Sequence, residues 1–168
     1  MSLRRDKVCG AAEKTGGWGG MNNDGRPGGE VYDWFRRGSA MLAQGNAGAA
    51  VQLLSHALEA EPGSRAIREA LARAQFEARA YQAALENFRA VALADPSDDY
   101  AQFGWGLAAA RLGDFESSAE HLALAVAMRP QAKHYRAALR QTRATLKARA
   151  GGFGTVGGAP QADAEPER

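Results

Sequence analysis

The stretch Leu58–Arg65, "LEAEPGSR", places a proline directly behind an alanine-rich, charged run. The same punctuation returns as "ALADPSDD" at Ala92–Asp99 and as "VAMRPQAK" at Val126–Lys133. Pro62, Pro96 and Pro130 are therefore 34 residues apart, twice over. Proline cannot continue a helix, and it biases the residue before it away from helical geometry. Each of the three thus marks a stop, and the equal intervals mark a repeated unit. The chain is expected to be all-α, built from one helical hairpin used three times.

Laying out the period as 31–64, 65–98 and 99–132 brings like residues into register. The eighth position holds Gly38, Ala72 and Gly106, and the twentieth holds Ala50, Ala84 and Ser118. The twenty-fourth is large and apolar (Leu54, Phe88, Leu122), and the twenty-seventh is Ala57, Val91 and Ala125. Small residues at the eighth and twentieth let two antiparallel helices approach closely, with the twenty-fourth filling the space beside them. Mid-unit breaks fall at Gly45 and Gly113, where glycine permits a left-handed turn residue. The second unit has Arg79 there, at a cost of roughly 1–2 kcal/mol if that residue is left-handed. Ser64, Ser97 and Asp114 are expected helix caps. The cluster Asp95, Asp98 and Asp99 is not read as a cation site, because Asp98 and Asp99 lie at a helix start, where negative charge is favoured.

This register resembles the tetratricopeptide repeat family, whose unit is 34 residues long. Trp34, Gly38, Gly45, Ala50, Ala57 and Pro62 match its pattern closely in the first unit; Arg68 and Gln102 depart from it at the fourth position, and Ser118 at the twentieth. The resemblance implies a right-handed superhelical solenoid of three helix-turn-helix units. One further helix follows over 133–150, with Tyr135, Leu139, Thr142 and Leu146 at helical spacing on its apolar side. Arg140 stands where a fourth unit would need a small residue, so this helix reads as a solvating cap. Residues 1–30 and 151–168 are glycine-rich tails with too few large apolar residues to offset the entropy of ordering, and are expected to be disordered. Met21 suggests an alternative translation start.

Catalytic and cofactor chemistry find little support. Gly152–Gly157 satisfies G-x-G-x-x-G, but a dinucleotide site needs a strand before it and a helix after it. Here a helix precedes it and Ala159-Pro160 follows, so a linker is expected and no cofactor. His56, His121 and His134 lie in three different helices and read as surface or half-buried residues, with no metal site. Ser39 lacks the flanking glycines of a nucleophile elbow. The chain is therefore expected not to be an enzyme and to have no small-molecule substrate. The single cysteine, Cys9, precludes an internal disulfide. The N-terminus lacks the apolar core of about 7–15 residues that a secretory signal needs. No run approaches the ~18 apolar residues of a membrane span. A cytoplasmic protein with no membrane partner is expected, and the arginine- and alanine-rich composition points to a GC-rich bacterial genome.

What remains is recognition. The resemblance implies that the first helix of each unit lines a concave groove through its second, fifth, ninth and twelfth positions, one stripe of a helix. Here these are Tyr32, Phe35, Ser39 and Leu42, then Ala66, Glu69, Arg73 and Phe76, then Tyr100, Phe103, Leu107 and Ala110. Arg36 and Arg111 stand at the edges, and His134 and Gln141 continue the stripe on the cap. Relatives that bind acidic chaperone tails use lysines and asparagines in this stripe. None is present at those positions, which disfavours that role. The expected function is a protein–protein interaction module or scaffold, holding a partner's peptide or helix between the two aromatic pairs. The alternative is RNA or polyanion binding. The full chain carries a formal net charge of +2. Residues 31–130 hold 12 acids against 9 Lys/Arg, whereas 131–150 hold six Lys/Arg and no acid. Lys133, Arg136, Arg140, Arg143 and Lys147 share one face there.

Overall fold

The computed structural model describes residues 29–151. The expectations for the tails, among them their disorder, Cys9, Met21 and Gly152–Gly157, lie outside the described residues. Seven helices follow one another: α1 Gly29–Ala43, α2 Ala47–Ala60, α3 Arg65–Glu77, α4 Tyr81–Ala94, α5 Asp99–Leu112, α6 Phe115–Met128 and α7 Lys133–Arg149. The described residues contain no strand. α1 pairs with α2, α3 with α4 and α5 with α6, and each hairpin stacks on the next. The first helices α1, α3, α5 and α7 also approach one another in sequence, whereas α2, α4 and α6 make no such approach. Stacking that draws one set of helices together and spreads the other curves the array. This is the solenoid expected of the repeats, with the first helices on its inner side.

The hairpins close where the register placed small against large. A Cβ added at Gly38 would come 2.8 Å from Leu54 Cγ, and one at Gly106 would come 2.7 Å from Leu122 Cγ. Leu54, Phe88 and Leu122 are fully buried, as are Ala50, Ala84 and Ser118. Phe88 is larger than its two counterparts, and the excess is taken up one unit later. A Cβ on Gly104 would lie 2.5 Å from the Phe88 ring. The equivalent positions after Leu54 and Leu122 carry Ala70 and Ala138. Glycine inside α5 weakens the helix intrinsically, and the aromatic core beneath it is the compensation.

Polar contacts clasp the hairpins at two further register positions. Where the first unit has Trp34 against His56, with centroids 5.9 Å apart, the second and third use hydrogen bonds. Arg68 Nη1 donates to Asn87 Oδ1 at 3.3 Å, and Gln102 Oε1 lies 2.9 Å from His121 Nδ1. Arg65 pairs with Asp95, while Arg129 pairs with Asp99 at 2.9 Å. The two ion pairs occupy the same positions in their units with their signs exchanged. Asp95 is held below its ordinary carboxyl pKa, first by the Ser97 hydroxyl and then by Arg65.

Helix ends mostly follow local chemistry. Gly45 and Gly113 take φ of 82° and 88°, and Arg79 takes 64°, so the second turn bears the expected left-handed arginine. Asp114 caps α6 by accepting from Ser117 N at 3.0 Å. Ser97 is a correction. Asp98 caps α5, accepting from Tyr100 N and Ala101 N at 3.1 and 3.0 Å. Ser97 instead donates its hydroxyl to Asp95 at 2.6 Å. A carboxylate one residue later outcompetes the hydroxyl because its bonds are charge-assisted. Ser64 occupies the cap position of α3 without a side-chain capping bond.

Two alanine substitutions separate packing from propensity. Gly104→Ala should destabilise the fold by about 1–3 kcal/mol through overpacking against Phe88. Gly48→Ala, in α2 with nothing within 4 Å of the added carbon, should stabilise it by about 0.5–1 kcal/mol. Urea unfolding of the two variants checks both signs.

Candidate partner-binding surfaces

The groove residues divide by depth. Tyr32 is 54% exposed, Arg36 and Arg111 are exposed, and Phe35, Ser39, Glu69 and Arg73 are half-buried. Leu42, Phe76, Tyr100, Phe103 and Leu107 are buried. The expected symmetry between the two aromatic pairs is therefore corrected. Tyr100 and Phe103 are each only 3% exposed. Tyr100 packs edge-on against Phe88, 6.2 Å away. Phe103 stacks on Tyr135 of α7 at 4.3 Å and meets His134 edge-on at 5.3 Å. The physical reason is neighbourhood. α5 is covered by α3 on one side and α7 on the other, whereas among the described residues nothing precedes α1 to cover its outer flank. Identical register positions thus become core in one helix and surface in the other.

Tyr135 anchors the cap. It is 1% exposed, and its hydroxyl donates to Asp99 Oδ2 at 2.7 Å. Burial raises its phenol pKa above the usual value, and the hydrogen bond and charge of Asp99 add to that. Asp99 thus ties α5 to both Arg129 and α7, which gives the acidic cluster a structural use. Thr142 lies 3.3 Å from Ser118 in a buried hydroxyl pair, so the serine that departs from alanine at the twentieth position meets a polar partner.

Beyond the covered aromatics, a cavity of about 450 Å³ opens between α5 and α7. Leu107, Ala110 and Phe115 give it apolar walls, and Arg111, Gln141 and Thr145 give it polar ones. It lies on the stripe formed by the ninth and twelfth positions, further along the first helices than Phe103. The Arg111 guanidinium carbon is 6.0 Å from the ring centres of both Phe76 and Tyr81, within cation–π range. Sequence reasoning named Leu107, Ala110, Arg111 and Gln141 along the stripe but missed the cavity, because it did not bring Phe115 of α6 and Thr145 of α7 beside them. On the far side of α7, Lys133, Arg136, Arg140, Arg143 and Lys147 are all exposed.

The histidines form no cluster: among the described residues no group of three His, Cys, Asp or Glu side chains is placed to hold a metal ion. His121 stacks on Trp105 with centroids 3.6 Å apart, and Arg89 lies 5.8 Å from the same indole. Burial lowers the imidazole pKa below its ordinary value, against the opposing charges of Glu120 and Asp114. The unfolded chain therefore takes up this proton at higher pH than the folded one. Stability should fall as pH drops from about 6.5 toward the lower folded value, and the midpoint of thermal unfolding across pH 7.5–5.5 checks it. His121→Gln should flatten that slope.

Comparison with known proteins agrees with this architecture. Residues 41–102 match the tetratricopeptide repeat family model. No curated protein sequence matches the chain. Among solved structures, the Sgt2 TPR domain from Aspergillus fumigatus is similar at 19% identity and a TM-score of 0.70, over 81% of this chain and 92% of that one. The second TPR domain of human RPAP3, solved in complex with the HSP70 peptide SGPTIEEVD, is similar at 18% identity and a TM-score of 0.63, over 68% and 95%. MamA AMB-1 is similar at 21% identity and a TM-score of 0.64, over 72% and 71%. No helix among the described residues is long and apolar enough to cross a membrane. The 34-residue register and the stacked hairpins give the chain a tetratricopeptide-repeat fold, and residues 41–102 match that family's model.

Proposed function

We propose that the chain is a protein–protein interaction module that holds a peptide or helix of another protein along the inner side of the solenoid. The observation that carries this reading is the distribution of accessible groups along the first helices. Tyr32 and Phe35 offer an aromatic edge on α1, and the cavity beside Arg111 offers an apolar recess between α5 and α7. Arg36, Glu69 and Arg73 supply polar groups between them. Aromatic side chains anchor interfaces because they bring large contact area at small entropic cost. The likeness to a TPR domain solved with a bound peptide supports the same mode of use. The ligand chemistry is different, since the stripe carries aromatic, aliphatic and arginine side chains in place of lysine and asparagine. The fitting ligand has two apolar side chains, one for α1 and one for the cavity, with a carboxylate near Arg73 or Arg111. Scaffolding accounts for these surfaces without catalytic chemistry.

Selection from a displayed peptide library, followed by titration of the winning peptide, tests the proposal. Tyr32→Ala and Arg111→Ala should each weaken binding by about 1–2 kcal/mol while leaving the fold intact by circular dichroism. Peptides bound with unchanged affinity by both variants would place recognition elsewhere.

A further inference from the structure

We propose that the outer face of α7 docks an acidic segment of a partner protein, laid along the helix where the second helix of a fourth hairpin would lie. In the hairpins, the first helix turns its fourth, eighth and eleventh positions toward its own second helix, as Arg68 and Gln75 against Asn87 illustrate. Gly38 against Leu54 and Gly106 against Leu122 define that face. In α7 the same register positions hold Arg136, Arg140 and Arg143, and Lys133 and Lys147 extend the row one turn at either end. All five are exposed, and none of their side chains makes a hydrogen bond or ion pair with a described residue. Elsewhere Arg65 and Arg129 are engaged by aspartates, and Arg149 lies 4.3 Å from the Phe115 ring. The row spans roughly 21 Å at the helical rise of 1.5 Å per residue. Like charges three and four residues apart weaken a helix, and α7 contains no acid to relieve them. An anionic occupant does.

The surroundings select a polypeptide over a nucleic acid. The row is one helix wide, and α6 beside it exposes Glu116 and Glu120. The phosphates of a broad duplex would meet those carboxylates, while a single acidic segment would not. Single-stranded nucleic acid is held largely by stacking on exposed rings. α7 offers none on this face: its tyrosine is buried, and His134 turns toward Phe103. Carboxylates of an acidic helix or strand can pair with successive guanidinium groups along the row.

The site is separate from the inner-side groove and stands or falls apart from it. The experiment titrates the full chain into a labelled oligoglutamate peptide and, in parallel, into oligouridine of equal length, at low and moderate salt. The peptide should bind at low salt and be released as salt rises. Arg136→Glu, Arg140→Glu and Arg143→Glu together should weaken it about tenfold or more, whereas Arg140→Lys and Tyr32→Ala should not. Circular dichroism shows whether the triple variant keeps its helices; if it does not, Arg140→Glu alone, expected to show a smaller loss, is the variant read. The proposal is overturned if the peptide does not bind, if charge reversal leaves it bound, or if oligouridine is held more tightly by the same residues. Binding seen only after Asp163→Asn, Glu165→Gln and Glu167→Gln would assign the row to the chain's own tail instead, and would equally overturn it.

Discussion

Everything in this molecule depends on the close approach of two helices at one point in each hairpin. At Gly38, Ala72 and Gly106 the first helix presents almost no side chain, and Leu54, Phe88 and Leu122 fill the space without residual exposure. Burying such a side chain contributes roughly 1.5–3 kcal/mol, but the geometric consequence matters more. A hairpin pinned this tightly is a rigid unit that presents one edge to the next. Repeating it at a constant interval draws the first helices together and leaves the second helices apart. The curved inner side, and hence any groove, follows from that packing and not from the residues that line the groove.

The periodic part of this was legible in the sequence. Proline spacing, the small-large alternation and the left-handed turn positions recur at fixed intervals, and each recurrence has a local physical cause. Features that depend on which element lies alongside were not. Gly104 compensates for Phe88 across a unit boundary, so comparing like positions in successive units hides it. The exchanged ion pairs, Arg65–Asp95 and Asp99–Arg129, are hidden the same way, because neither position repeats its charge. Tyr100 and Phe103 look identical in register to Tyr32 and Phe35, and the neighbours on either side, Phe88 of the preceding hairpin and Tyr135 of α7, make them core. Periodicity tells which face of a helix a residue occupies. It does not tell what covers that face.

That distinction shapes the functional account. The central aromatics serve the joint between the third hairpin and the cap, with Asp99, Arg129 and Tyr135 fastening its rim. On the proposed reading, recognition falls to surfaces that the described residues leave open: the flank of α1 and the recess between α5 and α7. The cap itself changes character around its circumference, apolar toward α5 and α6 and cationic on the side that would have met a further helix. The described array thus has two chemically different surfaces, an apolar and aromatic one on the inner side and a cationic one on α7.

The central claim, that covered and uncovered aromatics at equivalent positions have different jobs, is tested most directly by the unfolding free energies of Phe35→Ala and Phe103→Ala. The account predicts a loss of about 3–5 kcal/mol for Phe103→Ala, as for a fully packed phenylalanine. The half-buried Phe35 should lose clearly less, leaving a folded protein. Equal losses at the two positions, or a Phe103→Ala protein as stable as the parent, would contradict it.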